Sequence, residues 1–200
     1  MRDRRAERRE ATRAEIVAAA WEVVAEKGVA ALSLRDVAER VGMRPPSLYE
    51  YFDSKNAIYD ALFADGQRAL LEALTREKGL HPLEQIRART HDFIAFCVDN
   101  PGRSQLLFLR TIPGFEPSEK SYALAVLSLS AVYDEFANLG VDDPVAVDLY
   151  TAMVGGLVNQ QIANDPGGKR WIGLADEVLD MLLDHLRKTG RLTDPEEGES

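Results

Sequence analysis

Side chains able to contact nucleic acid are concentrated in one stretch, SLRDVAERVGMRPPSLYEYFDSK, which runs from Ser33 to Lys55. It combines guanidinium, hydroxyl and phenol groups, which can bind phosphate oxygens and the base edges of a duplex. Two tyrosines and a phenylalanine fall within residues 49–52, and three rings so close together cannot all face one core. At least one ring is therefore expected on the surface.

The spacing around these side chains predicts two short helices joined by a tight turn. Val37 and Val41 lie four residues apart on one face, and Ala38 offers no bulk against a crossing helix. Gly42 follows where a turn needs a left-handed residue, and Leu48 begins the apolar face of the second helix. This is the layout of a helix-turn-helix DNA reader. A helical hairpin within a core is the alternative, and the aromatic run 49–52 disfavours it.

Composition indicates a globular protein, with 46% apolar and 28% charged residues among 200. Such a length suits one compact chain or a small domain attached to a larger one. No apolar run is long enough to span a bilayer, and no apolar segment follows the basic start as in a secretory signal. Cys97 is the single cysteine and lies in an apolar run, so a buried thiol is expected. We therefore expect a cytoplasmic protein without a membrane partner.

The charge is unevenly distributed along the chain. The net charge is −9, yet residues 1–55 carry 11 Lys and Arg against 10 Asp and Glu. Residues 1–13 alone carry six arginines and three acids, and this basic arm would lie near DNA while the acidic bulk lies away from it. Phosphate contact and a solvated terminus are equally weighted interpretations of the arm.

The chain predicts an all-α fold of about nine helices. Apolar residues recur with helical spacing from about Glu10 to Lys27, and a long helix starting near Lys55 continues to about Glu77. Pro45-Pro46 fits only the first turn of a helix. Further helix starts are predicted at the capping residues Ser33, Ser54, Asn100 and Asp143. The predicted division is a helix-turn-helix domain at 1–55, a ligand-binding and dimerisation domain at 56–191, and an acidic, disordered tail at 192–200.

The first third of the chain resembles the tetracycline-repressor (TetR) family of transcriptional regulators. Beyond it, only the length and helical character match. Arg44-Pro45-Pro46, Glu50 and Asn56 depart from the residues usual in the family. The matching residues are Ile16, Ala19, Ala20, Gly28, Ser33, Val37, Ala38, Val41, Gly42, Ser47, Leu48, Tyr49, Tyr51, Phe52, Lys55 and Leu62.

The resemblance implies which residues meet DNA. Base edges would be contacted from the second short helix, by Arg44, Pro46, Ser47, Glu50 and Tyr51. Phosphates would be contacted by side chains that position the protein without reading sequence, and these are Ser33, Arg35, Tyr49 and Lys55.

The remainder of the chain supplies material for an effector pocket and for a dimer interface. Apolar walls with a few polar groups describe most ligand sites, and also every helical core. The candidate pocket residues are Thr90, His91, Phe93, Phe96, Phe108, Tyr122, Tyr133, Tyr150 and Asn159.

Two consecutive glycines in mid-helix need compensating close packing, against a partner or within the chain. The candidate interface residues are Gly155, Gly156, Leu174, Val178, Met181 and His185.

No pattern indicates an enzyme, a metal site or a cofactor. His81, His91 and His185 are widely separated and lack the Glu-x-x-His spacing of di-iron bundles. The sequence thus favours a dimeric regulator that binds a palindromic operator in double-stranded DNA and responds to a small-molecule effector, most simply as a repressor. The alternative is a helical small-molecule-binding protein whose helix-turn-helix is only structural.

Overall fold

The computed structural model describes residues 4–74 and 80–192 and is all-helical over them. The expectation of an all-α protein with about nine helices is confirmed over this part of the chain. Short 3₁₀ turns occur at Val29–Ala31 and Ile172–Leu174. The α-helices are α1 Arg4–Lys27, α2 Leu34–Arg40, α3 Pro45–Leu48, α4 Lys55–Leu74, α5 Pro82–Asp99, α6 Pro101–Phe108, α7 Glu119–Asn138, α8 Pro144–Asn164 and α9 Ala175–Lys188.

Three of the four predicted helix caps form, at Ser54, Asn100 and Asp143. Asn100 accepts a hydrogen bond from the Arg103 amide at 2.9 Å, and Asp143 accepts one from the Val145 amide at 2.9 Å. Asn100 and Asp143 are each followed by a proline that needs no donor partner. Ser33 precedes α2 as predicted, but its hydroxyl makes no capping bond. Helix α1 begins at Arg4 rather than near Glu10.

Some predictions fall where nothing is described. The expected end of the long helix near Glu77 lies in 75–79, and the acidic tail lies outside the described residues from 193 onward. None of the described helices is both long enough and apolar enough to cross a lipid bilayer.

Packing divides the described chain into two compact units. The head unit comprises residues 4–69 and 100–125, and the body unit comprises 70–74, 80–99 and 126–192. Packing therefore joins residues 56–69 and 100–125 to the predicted helix-turn-helix segment. The functional division at residue 55 stays a prediction.

The head unit has a continuous apolar core that reaches well beyond residue 55. Helix α1 contributes Ile16 and Val23, helix α2 contributes Val37, and Leu48 and Leu62 come from α3 and α4; all five are at most 1% exposed. Leu106 of α6 belongs to the same buried cluster. A segment distant in sequence thus completes the core on which α2 and α3 rest.

The body unit packs α5, α8 and α9 together and contains a buried polar group. Glu135 of α7 forms an ion pair with Arg89 of α5, and the Glu135 side chain is only 7% exposed. Close by, the Thr90 and Tyr150 hydroxyls lie 2.9 Å apart. Burial raises the pKa of Tyr150 to about 12, so its phenol stays neutral. Burial also raises the pKa of Glu135 from 4.5 to about 7, although Arg89 opposes the shift.

Glu135 should make the stability of the protein depend on pH. Its folded-state pKa lies above the unfolded value, so the folded chain binds the extra proton between pH 4.5 and about 7. The contribution of Glu135 to the free energy of unfolding is complete below pH 4.5. This contribution, about 3 kcal/mol, is lost as the pH rises through 7. Urea unfolding of the wild type and of Glu135→Gln at pH 4.5, 6 and 8 measures this, and the variant should lose less stability as the pH rises.

Asp148→Asn provides the control, because it removes an exposed carboxylate of α8 in the same unit. It should leave the pH profile as in the wild type. Parallel profiles for the wild type and Glu135→Gln would contradict the assignment.

Candidate nucleic-acid interface

The turn between α2 and α3 is closed by backbone hydrogen bonds. Gly42 has φ +65°, the left-handed conformation predicted for it. Its neighbour Met43 donates to the Ala38 carbonyl at 2.8 Å, and Val41 donates to Val37 at 3.2 Å. Val37 and Ala38 are fully buried beneath this turn. Helix α2 therefore stops sharply and sends the chain into α3 at a fixed angle.

Helix α3 is a single turn that keeps one side inward. Pro45 and Pro46 occupy its first positions, Leu48 is 1% exposed, and Phe52 just after it is 3% exposed. The predicted DNA-contact residues lie on the remaining surface. Arg35, Arg44, Pro46, Tyr49 and Glu50 are exposed, and Ser33, Ser47, Tyr51 and Lys55 are half-buried.

The start of α4 joins this surface. The Ala57 amide donates to the Ser54 hydroxyl at 3.0 Å, which is the predicted cap. Lys55 lies beside it, with its Nζ 5.3 Å from the Tyr59 ring centroid. The amine is thus steadied by a neighbouring ring at the end of a helix whose first N–H groups attract anions.

Ion pairs fix α2 against α1. Arg40 pairs with Glu22 at 2.8 Å and also with Glu26, and Lys27 pairs with Asp36 at 2.8 Å. The guanidinium of Arg40 lowers the pKa of Glu26, and the two carboxylates raise the pKa of Arg40. These two cations are therefore engaged within the head, whereas Arg35 and Arg44 lie exposed on the outer face.

Two polar contacts that the sequence did not reveal anchor α4. The Trp21 indole donates to Asp65 at 2.7 Å and ties α1 to α4. Asp60 accepts from the Ser118 amide at 2.7 Å and from the Ser121 hydroxyl at 2.9 Å, which caps the start of α7. Spacing in the sequence cannot show these contacts, because the partners lie 44 to 61 residues apart.

Two arginines of α1 reach the end of α3, which is a second feature missed from the sequence. Arg9 donates to the Glu50 carbonyl at 2.8 Å, and Arg13 donates to the Tyr51 carbonyl. Their spacing of four residues on one helix face was the available signal. The composition of the arm predicted only that it lies near DNA.

The predicted pocket residues do not form one cluster. Thr90 and Tyr150 are in contact in the body unit, with Phe136 packed edge-on against Tyr150 at 5.4 Å. Phe96 is also buried there and Phe93 is half-buried, while His91, Tyr133 and Asn159 are exposed. Phe108 and Tyr122 belong to the head unit and are exposed. The composition of the pocket therefore stays a prediction.

An open cleft of about 750 Å³ occurs in the head unit instead. Its floor is formed by small residues of α1 and α4, including Ala14, Ala18, Ala61 and Ala64, with Trp21 at one side. None of the predicted pocket residues lines it.

The predicted interface residues lie in α8, in α9 and in the 3₁₀ turn that precedes α9. Met181 is 60% exposed, Leu174, Gly156 and His185 are also exposed, and Gly155 and Val178 are half-buried. A Cβ added at Gly155 or Gly156 would meet nothing within 4 Å in the described chain. Packing against the described residues therefore leaves space at this glycine pair, and the interface stays a prediction.

The described residues contain no group of three or more His, Cys, Asp or Glu side chains arranged to hold a metal ion. What they do present is a helix-turn-helix surface with exposed cations and phenols, built on a helical head. The class of protein defined by this fold and surface is a helix-turn-helix protein with a helical body.

Comparison with known proteins agrees with this class and refines it. Residues 16–62 match the sequence model of "Bacterial regulatory proteins, tetR family". Residues 16–62, which include α2, the turn and α3, are therefore similar to this family of regulators.

Its relatives are regulators rather than enzymes. It is 26% identical over 139 residues to the HTH-type transcriptional regulator Rv1816 of Mycobacterium tuberculosis, covering 67% of this chain and 59% of that one. It is 27% identical over 178 residues to the tetracycline repressor protein class A from transposon 1721 of Escherichia coli, covering 84% and 76%. The solved structure of SCO4313, described as a regulatory protein, superposes with a TM-score of 0.73 and 25% identity, covering 89% and 98%.

The matched segment thus spans less than two thirds of the length of the mycobacterial relative. The helical architecture is shared with the solved structure over most of both chains.

Proposed function

We propose that the protein is a DNA-binding transcriptional regulator, acting as a ligand-responsive repressor that binds a palindromic operator as a dimer. One observation carries the proposal. The inner side chains of α2 and α3 are buried, while Arg35, Arg44 and Tyr49 of the same helix-turn-helix are exposed to solvent. A helix-turn-helix used only structurally would have no need of exposed cations and a phenol on its outer face.

The exposed residues fall into a set suited to base contacts and a set suited to phosphate contacts. Arg44 can bind guanine in bidentate fashion, and Ser47 can hydrogen-bond to several different bases. Pro46 can contact a thymine methyl. Glu50 can accept from a cytosine amino group, and Tyr51 completes the base-reading set. Phosphates would be contacted by Ser33, Arg35, Tyr49 and Lys55, which flank that set.

The dimer would form through α8 and α9. One stripe of α9, including Leu179, Leu183 and Leu186, is buried in the chain, while Met181 on another face is 60% exposed. Beside it, the open glycines of α8 leave room for the close approach of a partner helix. An apolar face next to such a gap fits a second copy of this chain, which would present the same surface.

A dimer presents two heads, which must enter major grooves about 34–36 Å apart. An effector bound in the body could release DNA only by favouring a conformation whose heads no longer match that spacing. We place the protein in the cytoplasm, where operator DNA is accessible. The effector and the operator sequence are to be found by experiment.

The direct test is selection of duplexes from a random pool by the purified full-length protein. We expect a palindromic sequence to be enriched and to bind at least about 1000-fold more tightly than a scrambled duplex of equal length. Failure to enrich any duplex in low salt would refute the proposal. It would favour the helical small-molecule-binding protein, in which the helix-turn-helix is structural.

Removing the Lys55 amine should weaken binding on every sequence. Lys55→Ala should lower the slope of log K against log salt by about 1 per head, since one phosphate contact is lost. Tyr49→Phe removes only a hydroxyl, so we expect weaker binding to both the selected and the scrambled duplex with the slope unchanged. Fluorescence anisotropy at four salt concentrations measures both effects.

The matched control is Lys120→Ala, which removes an equal charge from the exposed first turn of α7 in the same unit. It should leave the slope as in the wild type. An unchanged slope for Lys55→Ala would remove Lys55 from the phosphate contacts.

Added bulk at Gly156 should weaken the dimer. Gly156→Leu places a side chain where two copies would meet, and overpacking of this kind costs about 1–3 kcal/mol. Sedimentation equilibrium at micromolar concentration should show a wild-type dimer and a larger monomer fraction in the variant. Ala95→Leu adds similar bulk to an exposed position of α5 and should leave the dimer intact. A monomeric wild type would contradict the proposed assembly.

A further inference from the structure

The backbone carbonyls at the end of the turn that follows α3 need hydrogen-bond donors from outside that turn. Just after this short helix, the amides of Tyr49, Glu50 and Tyr51 donate to the carbonyls of Pro46, Ser47 and Leu48 and extend it as a turn. The carbonyls of Glu50 and Tyr51 come after this ladder, at the end of the turn where helix carbonyls lack intrahelical donors. They point toward α1 and receive hydrogen bonds from its side chains.

Each of these two carbonyls is bound by one arginine. The Arg9 Nη2 lies 2.8 Å from the Glu50 oxygen, and the Arg13 Nη1 donates to the Tyr51 oxygen. Both guanidinium groups also lie over rings of the same segment. The Arg13 Cζ is 4.1 Å from the centroid of Phe52, and the Arg9 Cζ is 5.9 Å from that of Tyr51.

This arrangement suits a guanidinium group in particular. Its planar fork can donate to a carbonyl while its face lies on an aromatic ring, which a compact ammonium does less well. A cation at a helix C-terminus is further favoured by the partial negative charge of the last carbonyls. Phe52 is 3% exposed, so Arg13 is held against a ring that is itself fixed in the core.

We propose that Arg9 and Arg13 are positioning residues of the DNA-reading surface, holding the 49–52 segment against α1. The inference rests on the proposed DNA-binding function and assigns these two arginines a role different from phosphate contact. Four residues of helix cannot fix their own orientation, and the two capped carbonyls belong to Glu50 and Tyr51 of the base-reading set. Loss of either arginine would let those side chains shift against the bases.

The two roles differ in how they affect specificity and salt dependence. A phosphate contact contributes to every duplex, and its removal lowers the salt slope by about 1. A positioning contact leaves the slope unchanged, because no counterion is released through it. It affects the selected duplex far more than a scrambled one, because only base contacts depend on the exact placement of side chains.

The experiment compares Arg9→Gln, Arg13→Gln and the control Arg8→Gln in the full-length protein. Arg8 is exposed on the same helix, so its replacement removes the same charge. The probes are the duplex selected by the wild type and a scrambled duplex of equal length, titrated at four salt concentrations. For Arg9→Gln and Arg13→Gln we expect the affinity ratio between the two duplexes to fall at least about tenfold, with the salt slope unchanged. Arg8→Gln should retain the wild-type ratio.

A second measurement reports on the segment without DNA. Amide hydrogen exchange at residues 50–52 should be faster in both test variants than in Arg8→Gln, while exchange of the Val37 and Ala38 amides stays slow. Arg9 is exposed, so its variant remains informative should Arg13→Gln fail to fold.

Equal weakening on both duplexes with a slope lowered by about 1 would overturn the inference and make the arginines phosphate contacts. Unchanged affinity ratios would also overturn it. If the wild type selects no duplex, the proposed function fails, and with it the role in reading DNA. Hydrogen exchange still shows in that case whether the arginines hold the segment.

Discussion

A one-turn helix has no stability of its own, and the head unit is organised around keeping one such helix in place. Helix formation has a costly nucleus, and short helices depend on tertiary packing. The Leu48 side chain of α3 is buried in the core that it forms with α1, α2 and α4. Before it, Gly42 and the backbone bond from Met43 set the entry angle. After it, Ser54 starts a longer helix. These contacts with neighbouring residues fix the direction of every outward side chain of α3.

The body unit meets a different physical requirement. Helix α9 buries one stripe within the chain and leaves Met181 on its surface, while α8 carries two glycines where an added Cβ would meet nothing within 4 Å among the described residues. An exposed apolar side chain costs free energy in water, and glycines within a helix cost backbone entropy. The head leaves cations and phenols exposed and the body leaves apolar surface exposed. The two units thus expose surfaces of different chemistry.

Local signals predicted the helices well and their distant contacts poorly. Pro45, Asn100 and Asp143 mark helix starts because capping and proline geometry involve residues within three positions. Gly42 was predictable for the same reason. The bonds from Trp21 to Asp65 and from Arg13 to Tyr51 were not, since they join residues 38 to 44 positions apart whose types have many other uses. Aromatic residues such as Phe108 and Tyr122 were grouped by type as pocket walls, and only packing showed them to lie exposed in the head.

Helix α6 approaches α1 so closely that a Cβ on Gly102 would lie 2.6 Å from a Val24 methyl carbon. With Leu106 in the head core and the Phe115 ring tilted against that of Tyr59, their centroids 5.5 Å apart, residues 100–125 are integral to that unit. During synthesis, the first 69 residues leave the ribosome well before this segment. At about 5–20 residues per second, the nascent head waits several seconds with part of its core uncovered. Its DNA-facing surface is completed only when the middle of the chain has emerged.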